Sequence, residues 1–301
     1  MLEIPEAVVI ANQLNQTVKG KRINRAVAAA SPHKFAWYFG DPAGYNALLQ
    51  GRTVENVKAY SGRVEIGLSG NALLHFGDGA ILRFYKAGEK LPEKHQLLVT
   101  FGDGSSLLAT VAMYGGLWAF TAGDMDDNFY KPTNEGTRES LLSHDRKVYT
   151  GFTLYYKAAK MAVPPLSDRF DYKYFLTLFD EKGLKMSAKA FLATEQRIPG
   201  LGNGVLQDIL LNAKIHPKKK ISALTESERR GMFDSIKSTL LEMVNGGGRD
   251  TERDLFGNPG GYKTKLGKNN GLMLCPNCGG AVKKEAYMGG SIYYCAECQK
   301  N

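Results

Sequence analysis

The last 27 residues of the chain hold all four of its cysteines, as Cys275-x-x-Cys278 and Cys295-x-x-Cys298 with sixteen residues between the pairs. Two such knuckles facing each other bring four thiolates to the corners of one tetrahedron. The spacing therefore predicts one structural zinc ion in a closed shell, with a β-hairpin finger folded around it. The competing account of the same residues is a disulfide pair, which belongs to an exported chain. The amino end lacks the basic-then-apolar order of a signal peptide, and no run of about 18 apolar residues is present, so a cytoplasmic protein with reduced thiols and no membrane partner is expected. A closed zinc shell does no chemistry. The hairpin between the knuckles, "GGAVKKEAYMGGSIYY", carries Lys283, Lys284 and aromatic residues that can lie along DNA.

The finger is a small part of a 301-residue chain that is long enough for two domains with cores of their own. The net charge of +9 fits a polyanionic partner. At the amino end, "MLEIPEAV" opens a helix: Ile4, Ala7, Val8, Ala11, Leu14 and Val18 follow the helical period, Pro5 suits the first helical position and Gly20 the stop. Glu3 then has two readings, an acidic residue offsetting the helix dipole or a carboxylate with a chemical task. From about Arg63 to Phe120, short β-rich runs alternate with turn signals, which predicts an antiparallel sandwich after the first helix. Within it "HFGDGAIL" and "TFGDGSSL" echo each other, and each places Asp-Gly where a tight hairpin needs positive φ.

Residues 126–165 are polar and turn-rich and end at Pro164-Pro165, as a connection between domains would. Beyond them the pattern is helical. "TESERRGMFDSIKSTLLEMV" opens with a capping box, Thr225 to Glu228, and puts Met232, Phe233, Ile236, Leu240 and Val244 on one face. Before it, two helical segments are broken by "IPGLGN". Asn203 stands at the start of the second, where it suits a helix cap. Glycine-exposed amides at a helix N-terminus also cradle a phosphate, with Lys189 able to reach the same anion. The run "HPKKK" reads as a solvated basic stretch.

A glutamate beside the amino end on a proline-started helix, a β-sandwich, "GLGN" running on to "IHP", and a four-cysteine finger ending in "CQK" together resemble the formamidopyrimidine-DNA glycosylase and endonuclease VIII family. The likeness covers nearly the whole chain in order. It implies an α+β fold: an N-terminal helix and antiparallel β-sandwich over 1–125, the connection 126–165, a helix-two-turn-helix domain over 166–268, and the zinc finger 269–301. It also implies removal of a damaged base from double-stranded DNA, followed by strand cleavage at the abasic sugar. A monomer with a bacterial nucleoid-associated location is expected.

In that family an N-terminal α-amine attacks the sugar and the neighbouring glutamate, here matched by Glu3, moves the proton. Where the family has an exposed proline this chain has Leu2. Leucine is bulky, so Met1 is expected to be retained, which displaces the amine by up to about 3.6 Å. The catalytic candidates are Glu3, Glu6, Met1 and Leu2. The strand-cleaving lysine falls near "VKAYSGR", which offers Arg63 and, farther off, Lys58. The finger arginine is replaced by Gly290. "PEKHQ" matches the segment bearing a DNA-contacting histidine, His95, and the void-filling arginine falls near Met113 and Tyr114. With Lys189 and Asn203 these complete the DNA-binding candidates. Three functions fit the residues: a glycosylase with altered or weakened lyase activity, a damaged-DNA-binding protein of the same fold without catalysis, or a zinc-ribbon protein with an RNA or protein partner.

Overall fold

The computed structural model of the protein describes residues 2–125, 156–157, 159–267 and 274–300. These fall into two compact units, one built around Ala7–Met161 with Leu2 and Asp254–Asn258, the other from Glu3–Glu6, Ala162–Arg253 and Pro259–Asn301. Met1 and most of the expected connection 126–165 lie outside the described residues.

Helix α1 (Ile4–Thr17) buries Ala7, Ile10, Ala11 and Leu14 in the core of the first unit, while Ile4 at its start belongs to the core of the second. Its strands are β1 (Ile23–Ala28), β2 (Ala36–Trp37), β3 (Val54–Tyr60), β4 (Arg63–Leu68), β5 (Ala72–Tyr85), β6 (Leu97–Phe101) and β7 (Ser106–Thr121), with a short α2 (Tyr45–Leu49) after β2. They make one continuous sheet in the order β1-β6-β7-β5-β4-β3, antiparallel throughout except for β2, which runs parallel beside β7. The long strands β5 and β7 belong to both of its halves. One end of their shared ladder pairs with β6, the other with β4. Side chains such as Phe76, Leu82, Phe101 and Leu117 are almost fully buried, each worth about 1.5–3 kcal/mol of transfer free energy.

The two Asp-Gly echoes have different fates. Asp103-Gly104 is a tight turn: Gly104 has φ +82°, and the Phe101 amide donates to the Ser105 carbonyl at 2.8 Å. Asp78-Gly79, expected to be a second hairpin, instead lies within β5 at a bulge between Asp78 and Ala80. A Cβ at Gly79 would sit 2.3 Å from the carbonyl oxygen of Tyr114, so this glycine serves the close approach of β7. The dipeptide is identical, and the neighbouring strand decides its use.

The second unit contains α3 (Tyr172–Thr177), α4 (Glu181–Leu184), α5 (Asn203–Asn212) and α6 (Glu226–Asn245). Thr225 and Glu228 form the expected capping box on α6. The buried face of α6 holds Met232, Phe233, Ile236, Leu240 and Met243, with Val244 only half-buried. They pack with Phe170, Phe175 and Phe191 into the core. The run "HPKKK" is not simply solvated: Lys218 pairs with Glu285, and Lys219 with Glu228 at 2.5 Å. The finger hairpin consists of β8 (Val282–Tyr287) and β9 (Gly290–Cys295). Its two turn residues, Met288 and Gly289, both have positive φ, as a two-residue hairpin turn requires. Among the described residues no helix is long and apolar enough to cross a membrane.

Candidate functional site

The first amides of a helix lack partners within it. At α5 the cap residue is Gly202, which has no side chain to offer, and Asn203 is already inside the helix. The expected capping role of Asn203 is therefore taken by another residue. Glu3, some two hundred positions earlier, accepts from the Gly204 amide at 3.0 Å through Oε1 and from the Val205 amide at 2.9 Å through Oε2. The Ile4 amide donates to the Gly200 carbonyl at 3.2 Å, which fixes the segment carrying Glu3. Close approach explains the glycines of "GLGNG": a Cβ on Gly202 would fall 2.6 Å from the Glu3 carboxyl carbon, and one on Gly204 1.8 Å from Nη1 of Arg249.

Arg249 completes a buried cluster with Glu3 and Glu6. Its Nε and Nη2 donate to the two oxygens of Glu6 at 2.9 and 2.8 Å, and Nη1 lies 3.6 Å from Glu3 Oε2. All three side chains are buried. Burial pushes the Glu3 carboxyl above its ordinary range and nearby Glu6 adds to this, against the pull of Arg249 and the two amides. Burial also disfavours the charge of Arg249, but the two carboxylates outweigh it and hold the guanidinium protonated. Glu6 thus neutralises Arg249 through a bidentate pair, while Glu3 is oriented by two amides and can keep a proton at higher pH than an exposed glutamate. A carboxyl so placed is suited to general acid–base chemistry.

Two of the candidates for DNA contact meet the finger hairpin. Lys189 is buried and its Nζ donates to the carbonyl of Tyr287, and burial lowers its pKa. Asn203 Nδ2 donates to the Ser291 carbonyl at 3.0 Å. Gln207, which sequence reasoning did not single out, bridges the same strand by donating to Ser291 and accepting from the Tyr293 amide at 3.0 Å.

The remaining candidates belong to the sheet unit. Lys58 is exposed on β3. Arg63 is buried, with its guanidinium 5.6 Å from the Trp118 ring centre. The His95 ring lies against the Pro92 carbonyl at 3.2 Å. Met113 and Tyr114 are exposed where β7 bends past the β5 bulge. Leu2 is buried in the apolar core of this unit, and Met1 lies outside the described residues.

The four cysteine sulfurs lie within 4.8 Å of one another, with Cys275 and Cys298 at 3.8 Å and Cys278 and Cys295 at 3.5 Å. Thiolates at about 2.3 Å around one tetrahedral ion would stand about 3.8 Å apart. The set therefore fits a metal ion. Gln299 of the "CQK" ending braces it, donating to the Ile215 carbonyl and accepting from the Cys295 amide, both at 2.9 Å.

Arg249 and Gln207 carry no local pattern that reveals them. The nearest signal is the glycine run before Arg249, whose Gly248 has φ +98°.

Comparison with known proteins adds to this geometry. The family model described as the formamidopyrimidine-DNA glycosylase N-terminal domain matches residues 1–116, and that of the formamidopyrimidine-DNA glycosylase H2TH domain matches residues 161–254. A formamidopyrimidine-DNA glycosylase of Brevibacillus brevis is 25% identical over 308 residues that cover 100% of both chains. One of Hydrogenovibrio crunogenus is 32% identical over 143 residues, covering 45% of this chain and 49% of its own. Among solved structures, Lactococcus lactis Fpg in complex with abasic-site DNA superposes with a TM-score of 0.77 at 20% identity, over 99% of this chain and 100% of its own. Thermus thermophilus MutM (Fpg) does so with a TM-score of 0.74 at 22% identity, over 99% of this chain and 98% of its own.

Proposed function

Because the chain belongs to the formamidopyrimidine-DNA glycosylase and endonuclease VIII family, we propose that it is a DNA-repair glycosylase that releases damaged bases from double-stranded DNA, with lyase activity altered or weakened from the family pattern. The observation that carries this reading is the Glu3 carboxyl, buried and raised in pKa at the start of α5. A nucleophile closes on the anomeric carbon as the base leaves with the electrons of its bond. Glu3 in its protonated form donates to the deoxyribose ring oxygen as the bond between that oxygen and the anomeric carbon opens, the oxygen keeping that bond's electrons. Arg249 and Glu6 hold Glu3 in place.

Lys189 and Asn203, whose donors meet the Tyr287 and Ser291 carbonyls, hold the finger hairpin that we assign to the phosphate backbone, and zinc is the ion that four cysteine thiolates in this spacing select. The net charge of +9 favours the same polyanion. We read the protein as a cytoplasmic, nucleoid-associated monomer. The altered lyase activity follows from three positions: Leu2 stands where the family has its proline, Arg63 is the residue near the strand-cleaving lysine, and Gly290 replaces the finger arginine.

A second reading, a damage-binding protein without catalysis, is favoured by the burial of Leu2 in an apolar core. The test is a panel of duplexes bearing oxidised purines, oxidised pyrimidines, abasic sites or crosslinks, with borohydride added in parallel. Base release from at least one duplex supports the glycosylase, and a weak covalent trap supports the altered lyase. Lesion binding with no base released from any of them overturns the enzyme reading.

A further inference from the structure

Helix α1 carries two side-chain amides that each make a pair of hydrogen bonds outside the helix, and they reach different places. Asn15 serves the sheet: its Oδ1 accepts from the Val57 amide at 2.8 Å and its Nδ2 donates to the Val57 carbonyl at 2.6 Å. Gln13 serves a much later segment: its Oε1 accepts from the Leu255 amide at 3.0 Å and its Nε2 donates to Asp254 Oδ2 at 2.9 Å. A backbone amide only donates and a carboxylate only accepts, so a single orientation of the Gln13 amide satisfies both.

Asp254 and Leu255 are the tip of the loop that begins at Arg249. Asp254 shapes the tip, its Oδ1 accepting from the Phe256 and Asn258 amides at 3.0 and 2.8 Å. Leu255 is buried in the apolar core of the sheet unit, and its carbonyl accepts from the Phe84 amide at 3.0 Å. At the other end of the same stretch, Arg249 holds Glu6 and lies beside Glu3. Glu6 and Gln13 are seven positions apart, about two helical turns, so both project from one face of α1. The stretch 249–255 is thus fastened to that face at both of its ends.

The stem of the loop is rich in glycine. Gly246, Gly247 and Gly248 lead into Arg249, the last two with φ +73° and +98°, and Gly260 and Gly261 lead out. Its pairing, from the Asp250 amide to the Tyr262 carbonyl at 2.9 Å and from the Tyr262 amide to the Gly248 carbonyl at 3.1 Å, joins residues flanked by these permissive positions. The direction of the Arg249 side chain therefore depends on where the tip is held.

We infer that Gln13 is a positioning residue: by holding the loop tip it fixes Arg249, and through Arg249 the Glu3 carboxyl, in the geometry that base release needs. The inference rests on the reading of Glu3 as the group that protonates the sugar, and adds to it a residue that touches neither DNA nor Glu3.

The experiment uses the full chain with its glutamates labelled at the carboxyl carbon. Glu3 is assigned by loss of its signal in Glu3→Gln and titrated by NMR, whether or not any base is released. Base release is measured in parallel on the duplex panel above. Gln13→Glu sets a second carboxylate against Asp254, and Gln13→Met keeps the length while removing both bonds, so the milder change stands in if the harsher one does not fold. In each, the Glu3 titration should move upward by about 0.5 pH unit or more, because Arg249 is the charge that draws it down. In each, kcat should fall about tenfold with KM within about twofold. Gln13→Glu combined with Asp254→Asn exchanges donor and acceptor and should restore both readings. Asn15→Ala removes a comparable pair of bonds from the same helix and should lower the unfolding temperature while leaving the Glu3 titration and kcat as in the wild type. A titration or a kcat unmoved by the Gln13 variants, no recovery in the exchanged pair, or the same displacement from Asn15→Ala would overturn the assignment. A wild type that releases no base from any duplex refutes the glycosylase on that result alone, and the titration still decides whether Gln13 positions Glu3.

Discussion

Two buried glutamates, one in each unit, have been pushed in opposite directions. In the sheet unit Glu65 sits between His75 Nδ1 at 3.5 Å and Lys160 Nζ at 2.6 Å. Burial works against its charge, but His75, Lys160 and the Tyr156 hydroxyl outweigh this and hold the carboxyl at about 2. Burial meanwhile lowers His75, whose ring stacks on Trp118 with centroids 5.3 Å apart. In the helical unit Glu3 has an arginine and two amides beside it, and burial still wins. The charge of Arg249 is already engaged bidentately by Glu6. Burial alone therefore does not decide which way a carboxyl shifts. What separates the two is whether the neighbouring cation is free to hold the charge, as Lys160 is for Glu65, or is shared with another acid.

The largest test of this contrast is on the rate. Glu3→Gln keeps the shape and loses proton transfer, so base release should fall about 10²- to 10⁴-fold while DNA affinity stays within a few-fold. If the protonated form acts, kcat/KM should decline as pH rises through the Glu3 pKa above 4.5; a rate that rises there instead would make Glu3 a base that activates water. Glu65→Gln should leave the shape of that profile unchanged. A shared change in both variants would break the comparison.

Next in size is the guanidinium on which the contrast depends. Arg249→Gln leaves two buried carboxylates without their cation, and removing one partner of such a group costs about 3–5 kcal/mol. Thermal or urea unfolding at neutral pH should show this loss, and acidification should recover part of it by protonating the orphaned acids. Unchanged stability would mean that Glu6 and Glu3 find other partners.

Glu65 should show the opposite pH slope. Its folded value lies below its unfolded one, so its contribution is complete above pH 4.5 and is lost as pH falls from there toward about 2. The shift corresponds to about 3 kcal/mol, and Glu65→Gln should remove it and flatten the acid limb of stability. Glu3, raised on folding, contributes most below pH 4.5 and progressively less as pH rises through its folded value. Urea unfolding of the two glutamine variants between pH 3 and 7 distinguishes them: if both flatten the same limb, the assignment of opposite shifts is wrong.

The sequence was most informative where the physics is local. The cysteine pairs, the Thr225 capping box and the Asp103-Gly104 turn each depend on residues a few positions apart, and each can be read in a short window. Asp78-Gly79 was misread because its role is set by Tyr114, thirty-five residues on in the neighbouring strand. The same limit applies to the site. Glu3 could be singled out by its place in the chain, yet nothing near it announces Arg249 or the amides of α5, which reach it only through the fold. Gly202 reads from the sequence as a turn former in "IPGLGN"; that the missing side chains of Gly202 and Gly204 make room for Glu3 and Arg249 is a property of three segments brought together.

The smallest effect uses two helix starts as each other's control. Helix α6 is capped locally: Thr225 Oγ accepts from the Glu228 amide at 3.2 Å, and the Thr225 amide donates to Glu228 Oε2 at 2.9 Å. Helix α5 is capped by Glu3 from a distant segment. Thr225→Ala should cost about 1 kcal/mol, the usual worth of a polar N-cap, and leave base release and its pH profile untouched. Were Glu3 only a cap, Glu3→Gln would cost about as much as this and would be equally silent in the rate, because the glutamine oxygen still accepts from one of the two α5 amides. Urea unfolding and a base-release assay on the two variants side by side thus weigh the structural share of Glu3 against its chemical share. A Thr225→Ala protein that lost activity as Glu3→Gln does would show that the assay reads helix stability rather than proton transfer.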